Sequence, residues 1–480
     1  MRLGAAFAAL AVTALALLLG CASPGIQRPP AQPLAGTQLG IEPTAEPAPR
    51  LAADWWRGFG DPGLDSLVER ALAGHPSLQL AQARLLKSQA GLDAAGAASG
   101  PQLNGTLEAT RQRFSANAQV PPPLGGSVRT LATAQLDASW EIDFFGRHRA
   151  ALDAALGSAR AAQADLAAAR LLLASSVVRS WVQLGRLGDQ RGLAQRAVQQ
   201  RTELLALLRQ REQAGLDTRL DLLQGEAALP EARQQLEQVD EQITLVRHTL
   251  AALSAQPPEA LAALPGQKGP SWALPLPLPL PLTLPAALPA DLLGRRADIA
   301  AARWRVEAAS GEWQGARALF YPNINLRAFV GLSSFGLDRL LRAGSEQVGV
   351  GPALHLPLFD AGRLRANLQA RAAEVDAAVA SYNTAVLEAV REVADQLGTL
   401  ASLARQQQDQ ALAQAAAEAV HEVAGQRFGA GLGNRLGVLN AEAALLQQRR
   451  LAVELRARLL DTQLLLIRTL GGGYDAGAGS

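Results

Sequence analysis

Asn323-Ile324-Asn325-Leu326-Arg327-Ala328-Phe329-Val330 switches between polar and apolar at every residue as far as Ala328. Ile324, Leu326, Ala328 and Val330 fall on one side, and Asn323, Asn325, Arg327 and Phe329 on the other. A period of two marks a strand whose faces meet different surroundings. The same rhythm recurs where Ala132, Ala134, Leu136, Ala138 and Trp140 alternate with Thr133, Gln135, Asp137 and Ser139. It recurs again where Leu103, Gly105, Leu107 and Ala109 alternate with Gln102, Asn104, Thr106 and Glu108. A fourth run, Val348 to Leu356, is weaker and marked by Gly and Pro. These patterns predict strand pairs over about 102–114 and 127–141, and over about 323–334 and 346–357. Segments of about ten residues suit a tilted membrane strand; they also suit a half-buried sheet on a soluble domain. Four strands cannot close a membrane barrel, because the smallest have eight, and open sheet edges are not tolerated in lipid. Strands in a bilayer would therefore have to be shared among copies of the chain. Trp140, Phe144 and Phe145 at a strand-to-helix junction suit a membrane interface, or simple packing of that junction.

Beyond the strands the period lengthens. Leu152, Leu156, Ala159, Ala162, Leu166, Ala169 and Leu173 recur at threes and fours, the spacing of a coiled-coil seam. Alanine dominates Ala150 to Ala174; it is the best helix former and lets neighbouring helices approach closely. The helical pattern runs from Arg147 to about Gln213. At the rise of a helix that is on the order of 100 Å, with an interruption expected near Gly185, Gly188 and Gly192.

The landmarks come twice. Phe144-Phe145-Gly146-Arg147 opens one long helix and Asp360-Ala361-Gly362-Arg363 opens another. Ala214-Gly215-Leu216 interrupts one helical run, and Ala430-Gly431-Leu432 interrupts another. Gly146 and Gly362 stand 216 residues apart, as do Gly215 and Gly431. The chain reads as a tandem duplication. The first repeat is expected over 61–255 and the second over 291–470, with a Pro-rich linker at 256–290. The Leu-Pro alternation of 274–289 forbids helix and favours an extended polyproline strap. Residues 471–480 are expected to be a flexible tail.

Residues 1–20 have a basic start at Arg2, an apolar stretch to Leu19 and a small residue at Gly20, the pattern of a signal peptide. Cys21 follows, so the segment resembles a bacterial lipobox with Cys21 as the lipidated first residue of the mature chain. No Asp follows that Cys, and the implied address is the outer membrane of a Gram-negative cell, with the chain extending into the periplasm. Residues 21–60 are expected to form a lipid-anchored extended segment. One cysteine excludes an intrachain disulfide. A formal charge of +2 over 480 residues argues against a nucleic-acid binder, which normally shows a concentrated basic face. Aromatics are only 4% of a chain that is 49% hydrophobic, which favours long packed helices over a large mixed core. The predicted fold class is mostly α with a small β part.

Trp140-Glu141-Ile142-Asp143-Phe144-Phe145-Gly146-Arg147, Leu356-Pro357-Leu358-Phe359-Asp360-Ala361-Gly362-Arg363 and Asp291-Leu292-Leu293-Gly294-Arg295-Arg296-Ala297-Asp298-Ile299 resemble landmarks of the TolC-like outer-membrane efflux channel proteins, in the lipoprotein branch that serves resistance–nodulation–division pumps. Phe320-Tyr321-Pro322 and Leu470-Gly471-Gly472-Gly473 fit as well. The resemblance covers about Trp55 to Gly473. It implies a homotrimer in which each protomer gives four strands to a 12-stranded outer-membrane barrel and its helices to an α-barrel. It implies passive export of drugs or other small molecules, with a periplasmic adaptor protein and an inner-membrane pump as partners beside outer-membrane lipid. It also places a periplasmic gate at two helix–turn–helix tips, near Gly215 to Gln224 and Gly431 to Ala443. Asp217 and Asp221 are the acidic candidates on the first. On the second, Gly437 and Asn440 stand where relatives are acidic, and Leu436 is a candidate for an apolar ring that excludes water. The alternatives are an N-cap for Asp217 and a solvated helix face for Asp221.

No catalytic constellation emerges. His421-Glu422 begins a zinc-protease pattern, but residue 425 is Gly. Gly331-Leu332-Ser333-Ser334 is not a nucleophile elbow, because Phe335 stands where glycine is needed. The expectation is no enzyme, no metal and no cofactor beyond the lipid on Cys21. Two other readings stay open: the outer-membrane channel of a type I protein-secretion system, and a lipid-anchored periplasmic coiled coil without a pore.

Overall fold

The computed structural model describes residues 31–34, 41–42, 51–117, 123–262, 288–289 and 295–474. The signal segment 1–20, Cys21, the Pro-rich run up to 287 and the tail from 475 lie outside the described residues. In chain order the elements are β1 (Ile41–Glu42), a short 3-10 turn at Trp55–Phe59, α1 (Pro62–Gly74), α2 (Pro76–Ala98), β2 (Gln102–Arg113), β3 (Val128–Ile142), α3 (Arg147–Gln213), α4 (Arg219–Leu253), β4 (Leu288–Pro289), α5 (Ala297–Ala318), β5 (Asn323–Phe335), β6 (Glu346–His355), α6 (Arg363–Gly429) and α7 (Arg435–Thr469). Helices α3 and α6 are each 67 residues long, and α4 and α7 are each 35. Helix α3 runs unbroken through Gly185, Gly188 and Gly192, where an interruption was expected. Isolated glycines cost a helix interior only about 1 kcal/mol each, and here Leu184 and Leu187 beside them are buried.

Contacts divide the chain into two compact units. The first is Met1–Pro33, Arg84–Ala162 and Ala301–Tyr382; the second is Leu34–Ala83, Gln163–Ala300 and Asn383–Ser480.

The first unit holds a four-stranded antiparallel sheet in the order β2-β3-β5-β6. Its centre joins β3 to β5, with Leu131 opposite Phe335 and Ile142 opposite Ile324. Beside the sheet, α3 and α5 meet along small residues. A Cβ added at Gly157 would stand 2.8 Å from the backbone nitrogen of Ala308, and one at Gly311 would stand 2.7 Å from that of Ala154. Only glycine lets the backbones come this close. The Arg160 guanidinium covers the Trp304 ring at 4.5 Å from its centroid, closing the contact from one side. Ala316 and Phe320 pack on Leu364 and Leu368 of α6.

The second unit is helical, with one short parallel ladder pairing Ile41–Glu42 with Leu288–Pro289. The ladder takes up the last two residues of the expected polyproline strap, whose backbone angles lie close to those of a strand. Trp55, Trp56 and Phe59 pack with Leu64, Leu67 and Val68 of α1 on Val177, Val178 and Trp181 of α3, and on Leu250, Leu464 and Ile467. Helix α1 has no counterpart among the described residues of the second half and was not anticipated. Its sequence signal is Asp61-Pro62: Asp61 accepts the amides of Gly63 and Leu64 as N-cap, with Pro at the first helical position. The second carboxylate oxygen of Asp61 accepts the Trp181 indole N–H at 3.1 Å, fixing α1 on α3.

Helix α3 contains an 18-residue window with a mean hydropathy of 1.3, 39% of it buried inside the protein. Sequence reading identified no such span. A helix packed in a core has the same composition, so length and apolarity alone do not place it in a bilayer.

Candidate functional site

Strand register decides which side chains share a surface, because residues directly opposite each other point the same way. Leu103, Leu107 and Ala109 lie opposite Ala138, Ala134 and Ala132. Those alanines lie beside Ala328, Leu332 and Ser334 of β5, and Leu136 lies opposite Val330. Val330, Ala328 and Ile324 in turn face Val348, Val350 and Leu354. One face of the sheet is therefore apolar over most of its width, with Glu346 of β6 opposite Leu332 as its exception. Nothing in the described chain covers most of it: Leu107 is 83% exposed, Val348 81% and Val350 78%. Burying a Leu or Val side chain stabilises by about 1.5–3 kcal/mol. Leaving this face in water forgoes on the order of 10 kcal/mol, comparable with the whole stability of a domain. A half-buried sheet on a soluble domain would cover such a face, and among the described residues this one is bare.

From Ala132 to Ile142 the apolar side extends over ten strand steps. At about 3.3 Å per step and a tilt near 40°, that is roughly 25 Å of depth, the height of the apolar band on a membrane barrel.

The opposite face is polar. Gln347 donates from Nε2 to Oε1 of Gln135 at 2.6 Å, and Gln135 donates onward to Oδ1 of Asp137 at 2.5 Å. Arg327 and Ser139 share this face. The Phe329 ring lies over Gly349 and fills the space a side chain would take there. Strands β2 and β6 each pair on one side only among the described residues. Pro352, which lacks a backbone donor, sits in β6, and proline is tolerated in a strand at such an edge.

At the helix end of the sheet the repeated landmarks have a mechanical meaning. The Asp143 carboxylate accepts the Arg149 amide at 2.9 Å. Burial pushes its pKa up, but the backbone amides of Arg149, His148 and Arg147 outweigh that and hold it low. Asp360 accepts the amides of Gly362 and Leu364 in the same way at the start of α6. Gly146 and Gly362 have φ values of 75° and 92°. Each landmark is an aspartate that caps a helix plus a glycine that turns into it. Trp140 donates to the Ser99 carbonyl at 3.1 Å. Phe145 stacks on Tyr321 with 5.0 Å between centroids, as junction packing would have it. Phe144 is 61% exposed, as an interfacial residue would be.

The second unit contains both helix–turn–helix tips, and each is built to turn sharply. Leu216 donates its amide to the Arg211 carbonyl and Gly215 to that of Glu212, the paired bonds of a Schellman stop. Leu432 donates to Arg427 and Gly431 to Phe428 in the same pattern. Gly215 and Gly431 take φ values of 69° and 72°, which the stop requires. Thr218, not Asp217, is the N-cap of α4, and Asp221 closes a capping box with it. Asp221 accepts both the Thr218 amide at 3.0 Å and its hydroxyl at 2.6 Å. Asp217 instead takes a bidentate bond from Arg211, both distances 2.8 Å. The Arg211 hydrogen bond holds the Asp217 carboxyl below the usual range, and the Thr218 hydroxyl does the same for Asp221. On the second tip Gly437 cannot supply the box's acid, and Asn434 caps α7 alone through the Gly437 amide at 2.8 Å.

The remaining predicted tip residues separate. Leu436 is half-buried against Leu204, Leu208 and Leu439, whereas Asn440 is exposed. Sequence reading missed the ion pairs that brace these tips. Arg435 bonds Glu203 at 2.6 Å, and Arg196 bonds Glu442, a buried carboxylate. Their partners lie too far apart in sequence for any local pattern to reveal.

A profile of the outer membrane efflux proteins matches residues 67–256 and 288–472. The multidrug resistance outer membrane protein MdtQ of Escherichia coli O157:H7 is 33% identical over 430 residues, covering 88% of each chain. The fusaric acid resistance protein FusA of Burkholderia cepacia is 40% identical over 377 residues, covering 76% of this chain and 69% of that one. The crystal structure of the outer membrane protein VceC from Vibrio cholerae superposes with a TM-score of 0.79 at 35% identity, over 88% of this chain and all of that one.

Proposed function

The chain belongs to the outer membrane efflux protein family, and from that premise we propose how it forms its export duct. It is a protein of the cell outer membrane and a channel component of an efflux system that exports drugs or other small molecules. Three copies assemble as a cyclic homotrimer. Each gives β2, β3, β5 and β6 to one 12-stranded barrel, with the apolar face toward lipid and the polar face toward the lumen. The observation that carries this reading is the broad apolar face on a sheet whose edge strands each pair on one side only among the described residues. Lipid covers the face, and copies of the chain cover the edges.

The long helices continue the duct into the periplasm, and the tandem repeat lets two similar halves share the circumference. The tips after α3 and α6 form its periplasmic end, with Asp217, Asp221, Leu436 and Asn440 as the gate. A periplasmic adaptor and an inner-membrane pump deliver the cargo, and the pump supplies the energy. Cys21 carries the lipid that anchors the N-terminus. No residue has a catalytic task.

Planar-bilayer conductance, with native electrophoresis of the detergent-extracted protein, tests the reading. The expected result is discrete conductance steps from a species of three chains. A water-soluble monomer that never conducts would overturn it.

A further inference from the structure

At the end of the sheet remote from the helices, the apolar face changes character. On β2 the residues following Leu107 and Ala109 on that face are Arg111 and Arg113. Their neighbours across the ladder are Thr130 and Val128, so no carboxylate faces them from β3. Both arginines are exposed. The turn between β5 and β6 adds exposed Arg339 and Arg342 beside Leu337 and Leu341, which are 63% and 87% exposed. The acids at this level are few. Asp338 lies 3.9 Å from Arg339. Glu346, on the same face of β6, accepts the Gly344 amide at 3.2 Å.

We propose that Arg111 and Arg113, with Arg339 and Arg342, form a docking rim for the phosphorylated headgroup of an outer-leaflet glycolipid of the lipid A type. The inference rests on the barrel reading above, which turns this face toward lipid. The depth fits: Arg111 and Arg113 stand two and four strand steps beyond Ala109, the end of the apolar band. That places them about 5 and 10 Å further along a tilted strand, at headgroup level. The chemistry fits too. A guanidinium matches phosphate with two parallel hydrogen bonds. The apolar band directly below receives the acyl chains of the same molecule, and a free phosphate has no use for that band. Leu337 and Leu341 beside Arg339 and Arg342 give the turn the mixed surface that rests at a membrane boundary.

The test uses the full-length protein in detergent, titrated with fluorescent diphosphoryl lipid A. Losing two arginines from a membrane-facing surface should weaken binding about thirty-fold in the Arg111→Gln/Arg113→Gln double variant. The Arg111→Lys/Arg113→Lys variant keeps the charge and should retain most of the binding. Arg129→Gln removes an arginine at the same height on the opposite face and should leave it unchanged. Inorganic phosphate at equal concentration should not displace the lipid. Equal lipid A binding by wild type and the glutamine double variant, in protein that still conducts, overturns the proposal alone. Wild-type protein that never conducts removes the barrel reading and this surface with it.

Discussion

Two carboxylates four residues apart at the first tip do different work. Asp217 answers Arg211, and Asp221 answers the start of its own helix. Both are held below the ordinary carboxylate range, so their contribution is complete above about pH 4 and is lost as acid drives them through their lowered values. Hydrogen exchange across 211–221, corrected for intrinsic rate, should show this tip loosening in acid while the neutral Asn434 cap changes less. Equal loosening at both tips would contradict the assignment. Capping and gating also separate by charge. Asp221→Asn keeps an acceptor for Thr218 but removes the anion, so a gate role predicts a changed resting conductance with little change in thermal stability. Arg296 is a third case. Its buried side chain bonds Asp298, Glu392 and the Thr469 carbonyl. Arg296→Ala takes from the Glu392 carboxylate its nearer cation, leaving Arg468 at 3.7 Å, and should cost about 3 kcal/mol in thermal unfolding, with Arg296→Lys restoring only part. The run Gly294 to Ile299 was visible as a landmark. Its reason was not, because Glu392 lies nearly a hundred residues further along.

Among the elements, alternation and heptad spacing located the strands and long helices to within a residue or two, because both patterns are local and record which side of an element meets apolar surroundings. Helix α1 escaped because its short apolar stripe lies among Ala- and Leu-rich neighbours of similar appearance. The α3–α5 crossing escaped because Gly157 and Gly311 look like weak points until the partner backbone is in place. That contact reverses an ordinary expectation. Gly311→Ala gains about 1 kcal/mol of helix propensity, yet its Cβ would press on the Ala154 backbone, and overpacking of this kind costs about 1–3 kcal/mol. Gly91→Ala in α2, with nothing within 4 Å of the new carbon, should be neutral or stabilising. Thermal unfolding of the two variants gives the comparison, and a stabilising Gly311→Ala would refute the close approach.

For the whole molecule, orientation is the quantity at stake, and neighbouring residues of β2 decide it. Leu103 lies on the apolar face near mid-band, opposite Ala138, and Asn104 lies on the polar face. Arginine facing lipid at mid-depth costs about 2–4 kcal/mol, whereas a lumen position accepts it. Leu103→Arg should therefore cut the yield of folded oligomer, and Asn104→Arg should leave the yield intact while altering ion selectivity in planar bilayers. The reverse outcome would turn the sheet inside out. The assembled state was legible only as a requirement: four strands demand partners, but one chain's sequence does not display the surface of another.

The pairing of β3 with β5 at the middle of the sheet also sets a timetable. Roughly two hundred residues must leave the export machinery after β3 before its partner arrives, a long wait for a contact so distant in sequence. Until then the emerging N-terminal half holds only a two-stranded ribbon with a greasy side, which is marginally stable on its own. A cell making this protein must shield that ribbon from clumping, and a chain cut short before Asn323 would be a burden to whatever holds it rather than a smaller version of the whole.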